Sequence, residues 1–294
     1  MVTVGSILGG TFRFVRNNLG AIAVWSGIVF LVQLLMMAAM QPFYAAQLAA
    51  LQSGTRASPH IGAFLGVMLG MVLVFTALWA AAFRAVLFPA QSRTAYLRLG
   101  MDELRLLGCM LVLVISFYIL ALIAGVLFAV IGALIGSAAG FPRVVMAMAG
   151  LGIAGLVLSI WLGTRFSLAG PLTILERKIV IGPSWRLSRG NFWRLFGAYA
   201  VILILMVLLY GMIGLARSGP VLMDMMRPLD PNAQLRVATM NAANYALSIK
   251  SVIFALVSGV VGGFTLALYA GVAAVATDQL LGRRGEEHLS EVFE

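Results

Sequence analysis

Six long apolar runs divide the chain, at roughly 20–50, 61–89, 106–136, 144–171, 196–215 and 248–281. A bilayer core about 30 Å thick requires roughly 20 apolar residues per helix. A chain in lipid must satisfy its own backbone polar groups, which makes each run a helix rather than a strand. Several runs exceed that length, so they should tilt or protrude beyond the hydrocarbon. The polar breaks are short except at 217–247, where "PLDPNAQLRVATMNAANYALSIK" predicts a helix beginning near Asp230 with Pro231 in its first turn. Such a helix is either an amphipathic cover on the outer surface or a lid or docking element.

The same local pattern precedes alternate runs. "FRFVRNNLGAIAVW" leads into the first, "LRLGMDELRLLGCM" into the third and "WRLSRGNFWRLFGAY" into the fifth. Each is basic and amphipathic, and each reaches a glycine where the apolar run begins. The exits of the second and fourth runs also correspond: "FRAVLFPA" places Arg84 before Pro89, and "RFSLAGPL" places Arg165 before Pro171. The pattern reads as three repeats of an interfacial helix followed by a transmembrane hairpin. The expected fold is an all-α polytopic membrane helical bundle with six transmembrane helices, a single domain over 1–294. Basic interfacial segments are expected at 1–19, 91–105 and 176–195, an external loop at 217–247 and a cytoplasmic tail at 282–294.

Composition reinforces the membrane assignment. Apolar residues make up 62% of the 294, charged residues 10%, and mean hydropathy is +1.03. A soluble domain carries roughly 25% charged residues, so lipid has to cover much of this surface. Arg13 and Arg16 precede the first run as in a secretory signal, but that run is too long for an apolar signal core of about 7–15 residues. It is expected to be retained as the first span.

Charge then sets the orientation. The net charge is +10, and Lys178 and Lys250 are the only lysines among 20 basic residues. Basic residues cluster beside apolar runs, which argues for anchoring to anionic lipid and against nucleic acid. Twelve lie on the side that carries both termini and the loops at 91–105 and 176–195; six lie opposite. Both termini are therefore expected in the cytoplasm.

The stretch "WRLSRGNFWRLF", 185–196, is the most distinctive. Pro183 suits the first turn of a helix. At 100° per residue Trp185, Phe192 and Phe196 share a face, while Arg186 and Arg194 point away. Rings at the acyl boundary and guanidinium groups among phosphates define an interfacial helix, and Gly190 weakens it or marks its bend towards the fifth span. Trp185, Arg186, Arg189, Phe192, Trp193 and Arg194 are the candidate membrane-interface or lipid-headgroup residues. They serve as an anchor and re-entry elbow, or as a dedicated headgroup or partner site.

This motif, between the fourth and fifth of six apolar runs, resembles a group of bacterial membrane proteins. They include the membrane domain that precedes the hydrolase in some glycerophosphodiester phosphodiesterases. The resemblance implies a six-span inner-membrane helical domain without catalytic residues of its own. The hydrolase half is absent from this sequence, so no phosphodiesterase activity is carried over.

Other residues invite chemistry less strongly. Gly62, Gly66 and Gly70, and Gly132, Gly136 and Gly140, have the spacing that lets helix backbones approach; packing within the chain is expected, a homodimer seam being the alternative. Arg84, Arg165, Glu176 and Asp278 are the ionisable residues nearest the hydrocarbon, all close to cytoplasmic helix ends, where arginine can snorkel. Asp278 is expected to pair with Arg84 or Arg165. Trp25 and Gln33 in the first run suit packing. A lone Cys109 and the distant His60 and His288 point to neither a disulfide nor a metal, and no cofactor is expected. No Walker loop, HExxH or GxSxG motif is present. The expected function is a non-enzymatic scaffold, regulatory or lipid-associated membrane component. Its expected partners are anionic headgroups on the cytoplasmic side, and another membrane protein or a second copy. A transporter or permease for a small or lipid-like solute is the alternative.

Overall fold

The computed structural model describes residues 2–54, 61–91, 93–139, 141–225 and 233–282. Among these described residues ten α-helices follow in order: α1 (Val4–Asn17), α2 (Leu19–Ser53), α3 (Ile61–Leu87), α4 (Met101–Ala139), α5 (Phe141–Phe166), α6 (Ala169–Glu176), α7 (Gly182–Ser188), α8 (Phe192–Met225), α9 (Ala233–Tyr245) and α10 (Ile249–Leu280). Six of them, α2, α3, α4, α5, α8 and α10, contain the stretches long and apolar enough to cross a bilayer. They coincide with the six apolar runs. In α4 only 11% of the apolar window is buried by the protein, against 44% in α10. With side chains such as Ile115, Tyr118 and Leu122 exposed on it, α4 needs lipid as its solvent. The chain is an all-α, polytopic integral membrane protein.

Two compact units divide the chain, one from 1–7, 99–199 and 273–294, the other from 8–98 and 200–272. In the first, α4 packs against α5 and α6, and α7 packs on α5 and α6. Its N-terminal turn is closed reciprocally: the Ser6 amide donates to Thr3 Oγ1 at 3.1 Å and the Thr3 amide to Ser6 Oγ at 2.9 Å. Such a pairing satisfies amides that the first helical turn leaves without partners. Ser6 Oγ also donates to Gln279 Oε1 at 3.0 Å, and Gln279 Nε2 returns to the Ser6 carbonyl at 3.1 Å. The start of α1 and the end of α10 therefore lie together.

The second unit is organised around α2, which packs against α3 and α9. Trp25 is fully buried there and donates its indole N–H to the Ala95 carbonyl at 3.0 Å. Ala95 lies in a turn in which Thr94, Ala95 and Tyr96 take φ values of 53°, 53° and 63°. Left-handed backbone costs roughly 1–2 kcal/mol per ordinary residue, so the turn persists through its ties. The Tyr96 carbonyl accepts from Arg84 Nη1 at 3.2 Å, and the Tyr96 hydroxyl reaches the Pro89 carbonyl at 3.2 Å and Asn18 Oδ1 at 3.3 Å.

A seam between α2 and α10 completes this unit. A Cβ added at Gly259 would lie 2.8 Å from Phe30 Cβ and 2.9 Å from Phe30 Cα, and one at Gly263 would lie 2.7 Å from the Ser26 amide nitrogen. Nearby, Ser26 Oγ donates to the Val260 carbonyl at 3.4 Å. The glycines expected to pack were others. Nothing lies within 4 Å of a Cβ added at Gly62, Gly66 or Gly70. Among the described residues the glycine spacing in α3 therefore faces no neighbouring backbone, and the close approach of backbones lies along α10 instead. Gly132 and Gly136 lie in α4, but their surroundings, like Gly140 itself, lie outside the described residues.

Two further expectations are revised. The basic segment before the third run is not a separate helix, because α4 begins at Met101 and continues unbroken. Glu103 Oε2 accepts the Gly100 amide at 2.9 Å, closing the first turn without a break. Helix α8 continues to Met225, so the fifth connection begins later than the hydropathy suggests. Beyond it α9 starts at Ala233 and docks on α2, with Tyr245 stacked on Tyr44 at 4.5 Å. Asp230, Pro231, His60 and the tail from 283 onwards lie outside the described residues.

Candidate functional site

The elbow at 185–196 is a short helix, a turn and the start of a span. Helix α7 opens with Pro183 in its first turn and ends at Ser188. Gly190 then takes φ +84°, a conformation in which only glycine avoids strain, and α8 begins at Phe192. Asn191 stabilises the corner: its carbonyl accepts the Arg194 and Leu195 amides at 3.1 and 3.0 Å, and its Oδ1 accepts Arg194 Nη1 at 2.8 Å. Ser184 Oγ donates to the Arg165 carbonyl at 2.9 Å, fastening α7 to the end of α5. Of the two roles expected for Gly190, the bend is the one observed.

The elbow folds its rings over Arg165. The guanidinium carbon lies 5.3 Å from the Trp185 ring centroid, 5.5 Å from Trp161 and 5.6 Å from Phe192. Trp161 meets Trp185 edge to face at 5.3 Å, and Phe166 packs against Trp185 at 5.5 Å. Among the described residues, Arg165 Nε and Nη1 are buried without a hydrogen-bond partner. Cation–π contacts contribute about 0.5–1 kcal/mol each, more when water is excluded. Ring faces offset part of the desolvation cost of the charge, yet they leave its N–H groups without true acceptors.

Beside the guanidinium is a cavity of about 570 Å³, lined by Val157, Ile160, Trp161, Arg165, Gly190, Phe192, Trp193 and Phe196. One wall is aliphatic, one aromatic, and the cation lies at its edge. Arg186, Arg189 and Arg194 are exposed around the same corner. Trp193, at 77% exposure, is the elbow's projecting ring.

The six candidate interface residues thus fall into two groups. Trp185 and Phe192 turn towards Arg165 and are half-buried; the three arginines and Trp193 face outward. A single helical face for Trp185, Phe192 and Phe196 is replaced by a box, because the chain bends at Gly190 rather than continuing as one helix. Phe192 still stacks on Phe196 at 5.9 Å, one turn along α8.

Arg165 itself was legible only as a charge at a helix end. Its spacing of four from Trp161 on one helix face was the available clue. Among the described residues no carboxylate pairs with it, and its guanidinium meets the aromatic box instead. Arg84, in the corresponding last turn of α3, is buried and donates to the Tyr96 carbonyl. Asp278 is buried near the end of α10. Glu176 is bridged by Lys178 at 3.1 Å, and Asp102 by Arg105 at 3.0 Å. Cys109 is buried and unbridged, and no cluster of potential metal ligands occurs among the described residues.

Comparison with known proteins adds no relative: no family model, curated protein or solved structure matches the chain.

Proposed function

We propose that this protein is a non-enzymatic component of the bacterial inner membrane that scaffolds or regulates other membrane components and associates with anionic lipid at its elbow. The observation that carries the reading is the outward group at the corner: three exposed arginines beside an exposed Trp193. A guanidinium near an anionic surface contributes about 1 kcal/mol, and an amphipathic ring suits the headgroup level. The resemblance of the 185–196 motif to the membrane domain of certain glycerophosphodiester phosphodiesterases supports a membrane role without chemistry of its own. The partners proposed are anionic headgroups, a second membrane protein or another copy of the chain.

The experiment is purification in mild detergent with identification of the lipids and proteins that accompany the chain. Anionic phospholipid should be enriched over zwitterionic lipid. The combined variant Arg186→Gln, Arg189→Gln and Arg194→Gln should lose most of that enrichment. Equal recovery of both lipid classes with the wild-type chain would refute the lipid-associated reading. Solute uptake by reconstituted vesicles would instead establish the permease.

The proposed orientation has its own test. With twelve basic residues on one side against six on the other, the proposed orientation has both termini in the cytoplasm. Reporters fused after His60 and Asn232 should read as external, and one fused after Arg98 as internal. An internal reading at His60 or Asn232 would reverse the orientation or break the six-span count.

A further inference from the structure

We propose that the cavity beside Arg165 holds the phosphate group of one anionic phospholipid, with the start of an acyl chain along its aliphatic wall. The inference rests on the elbow reading above and narrows it to one pocket and one cation. Arg165 is a permanent charge on the last turn of α5, inside a box of three rings. Its Nε and Nη1 are sheltered and have no acceptor, and no carboxylate among the described residues neutralises it. Arginine's planar fork of donors matches phosphate oxygens, and such pairs are among the strongest hydrogen bonds proteins make.

The walls select lipid over a soluble anion. Val157 and Ile160 are exposed on α5 and line the cavity on the side that leads away from the charge. From Arg165 back to Val157 is about 12 Å of helix, at 1.5 Å per residue. One end therefore presents a guanidinium and the other a hydrocarbon surface, the polarity of a phospholipid from its phosphate to its first methylenes. A volume of about 570 Å³ suits the headgroup and upper chain. Phe192 covers the guanidinium from the elbow side and Gly190 leaves its corner of the cavity without a side chain, so the same turn that builds the box also shapes its mouth.

The test uses the full chain in mild detergent, with native mass spectrometry counting retained lipid during titration. The probes are phosphatidylglycerol, phosphatidylcholine and inorganic phosphate. One phosphatidylglycerol should be retained in clear excess over phosphatidylcholine, and millimolar inorganic phosphate should not displace it. Arg165→Gln should weaken that retention at least tenfold, while Arg165→Lys, which keeps the charge but not the fork, should lose less. Val157→Trp changes an exposed position, fills the aliphatic end and should weaken retention without altering charge. This second variant decides the matter should Arg165→Gln fail to fold. Displacement by inorganic phosphate would assign the pocket to a free anion and overturn the proposal. Retention unchanged in Val157→Trp, or in a folded Arg165→Gln, would also overturn it. If the combined Arg186, Arg189 and Arg194 variant loses anionic lipid while these variants do not, the elbow reading survives and the pocket does not. If none of the variants matters, both fall.

Discussion

Gly263→Ala should be among the most damaging single-methyl substitutions in this chain. The added Cβ would lie 2.7 Å from the Ser26 nitrogen and 2.8 Å from its Cα. Those are backbone atoms inside α2, so no side-chain rotation relieves the clash; α2 and α10 must separate. Overpacking typically costs about 1–3 kcal/mol, and here separation also opens the contacts at Gly259 and Gly262, where Phe30 and Val29 fit against bare backbone. Without a hydrophobic drive between helices in lipid, such packing is a principal source of association. The expected result is a loss at or above the upper end of that range in thermal denaturation in detergent. Gly66→Ala, where nothing lies within 4 Å, is the control and should stay within about 0.5 kcal/mol of wild type. Equal stability of the two variants would remove the seam.

Trp25→Ala should be comparably severe, by a different route. Truncating a buried tryptophan costs about 3–5 kcal/mol through lost contact and the cavity left behind, and Trp25 is wholly enclosed. Trp25→Phe separates packing from hydrogen bonding: most of the ring volume stays, but the Ala95 carbonyl loses its donor. A fully buried acceptor left unsatisfied costs about 1–3 kcal/mol, and the partly buried Ala95 carbonyl should cost no more than the lower end of that range. The left-handed turn at Thr94–Tyr96 should then open more often, because Trp25 is one of its ties. Limited trypsin digestion should show faster cleavage after Arg93 or Arg98 in Trp25→Phe. A variant as resistant as wild type would mean that the remaining bonds of Tyr96 hold the turn unaided.

The number and kind of the spans were readable because hydropathy over twenty residues is a local property, and no tertiary contact is needed to decide it. Facing surfaces are different. "GVVGG" at 259–263 carries the same glycine spacing as Gly62, Gly66 and Gly70, and only the placement of α2 determines which stripe meets a backbone. The elbow was half legible. Its residues were identified, but their common helical face assumed a straight axis, and the positive φ of Gly190 redirected Trp185 and Phe192 onto Arg165. The repeat reading fared unevenly for a similar reason. Arg84 and Arg165 do both lie in the last turns of their helices, whereas residues 101–105 of the basic segment before the third run belong to α4 itself, whose first turn Glu103 closes.

The bond between Ser6 and Gln279 joins residues 273 apart, and the seam at Ser26 and Gly263 joins the first span to the last. Ribosomal synthesis delivers these partners at very different times. At about 5–20 residues per second, roughly 10–50 s pass between the emergence of α2 and that of α10. Throughout that interval the Ser26–Phe30 face of α2 has to be covered by lipid or by an insertion factor. A chain cut short before Ile249 would reach the membrane with that face still open.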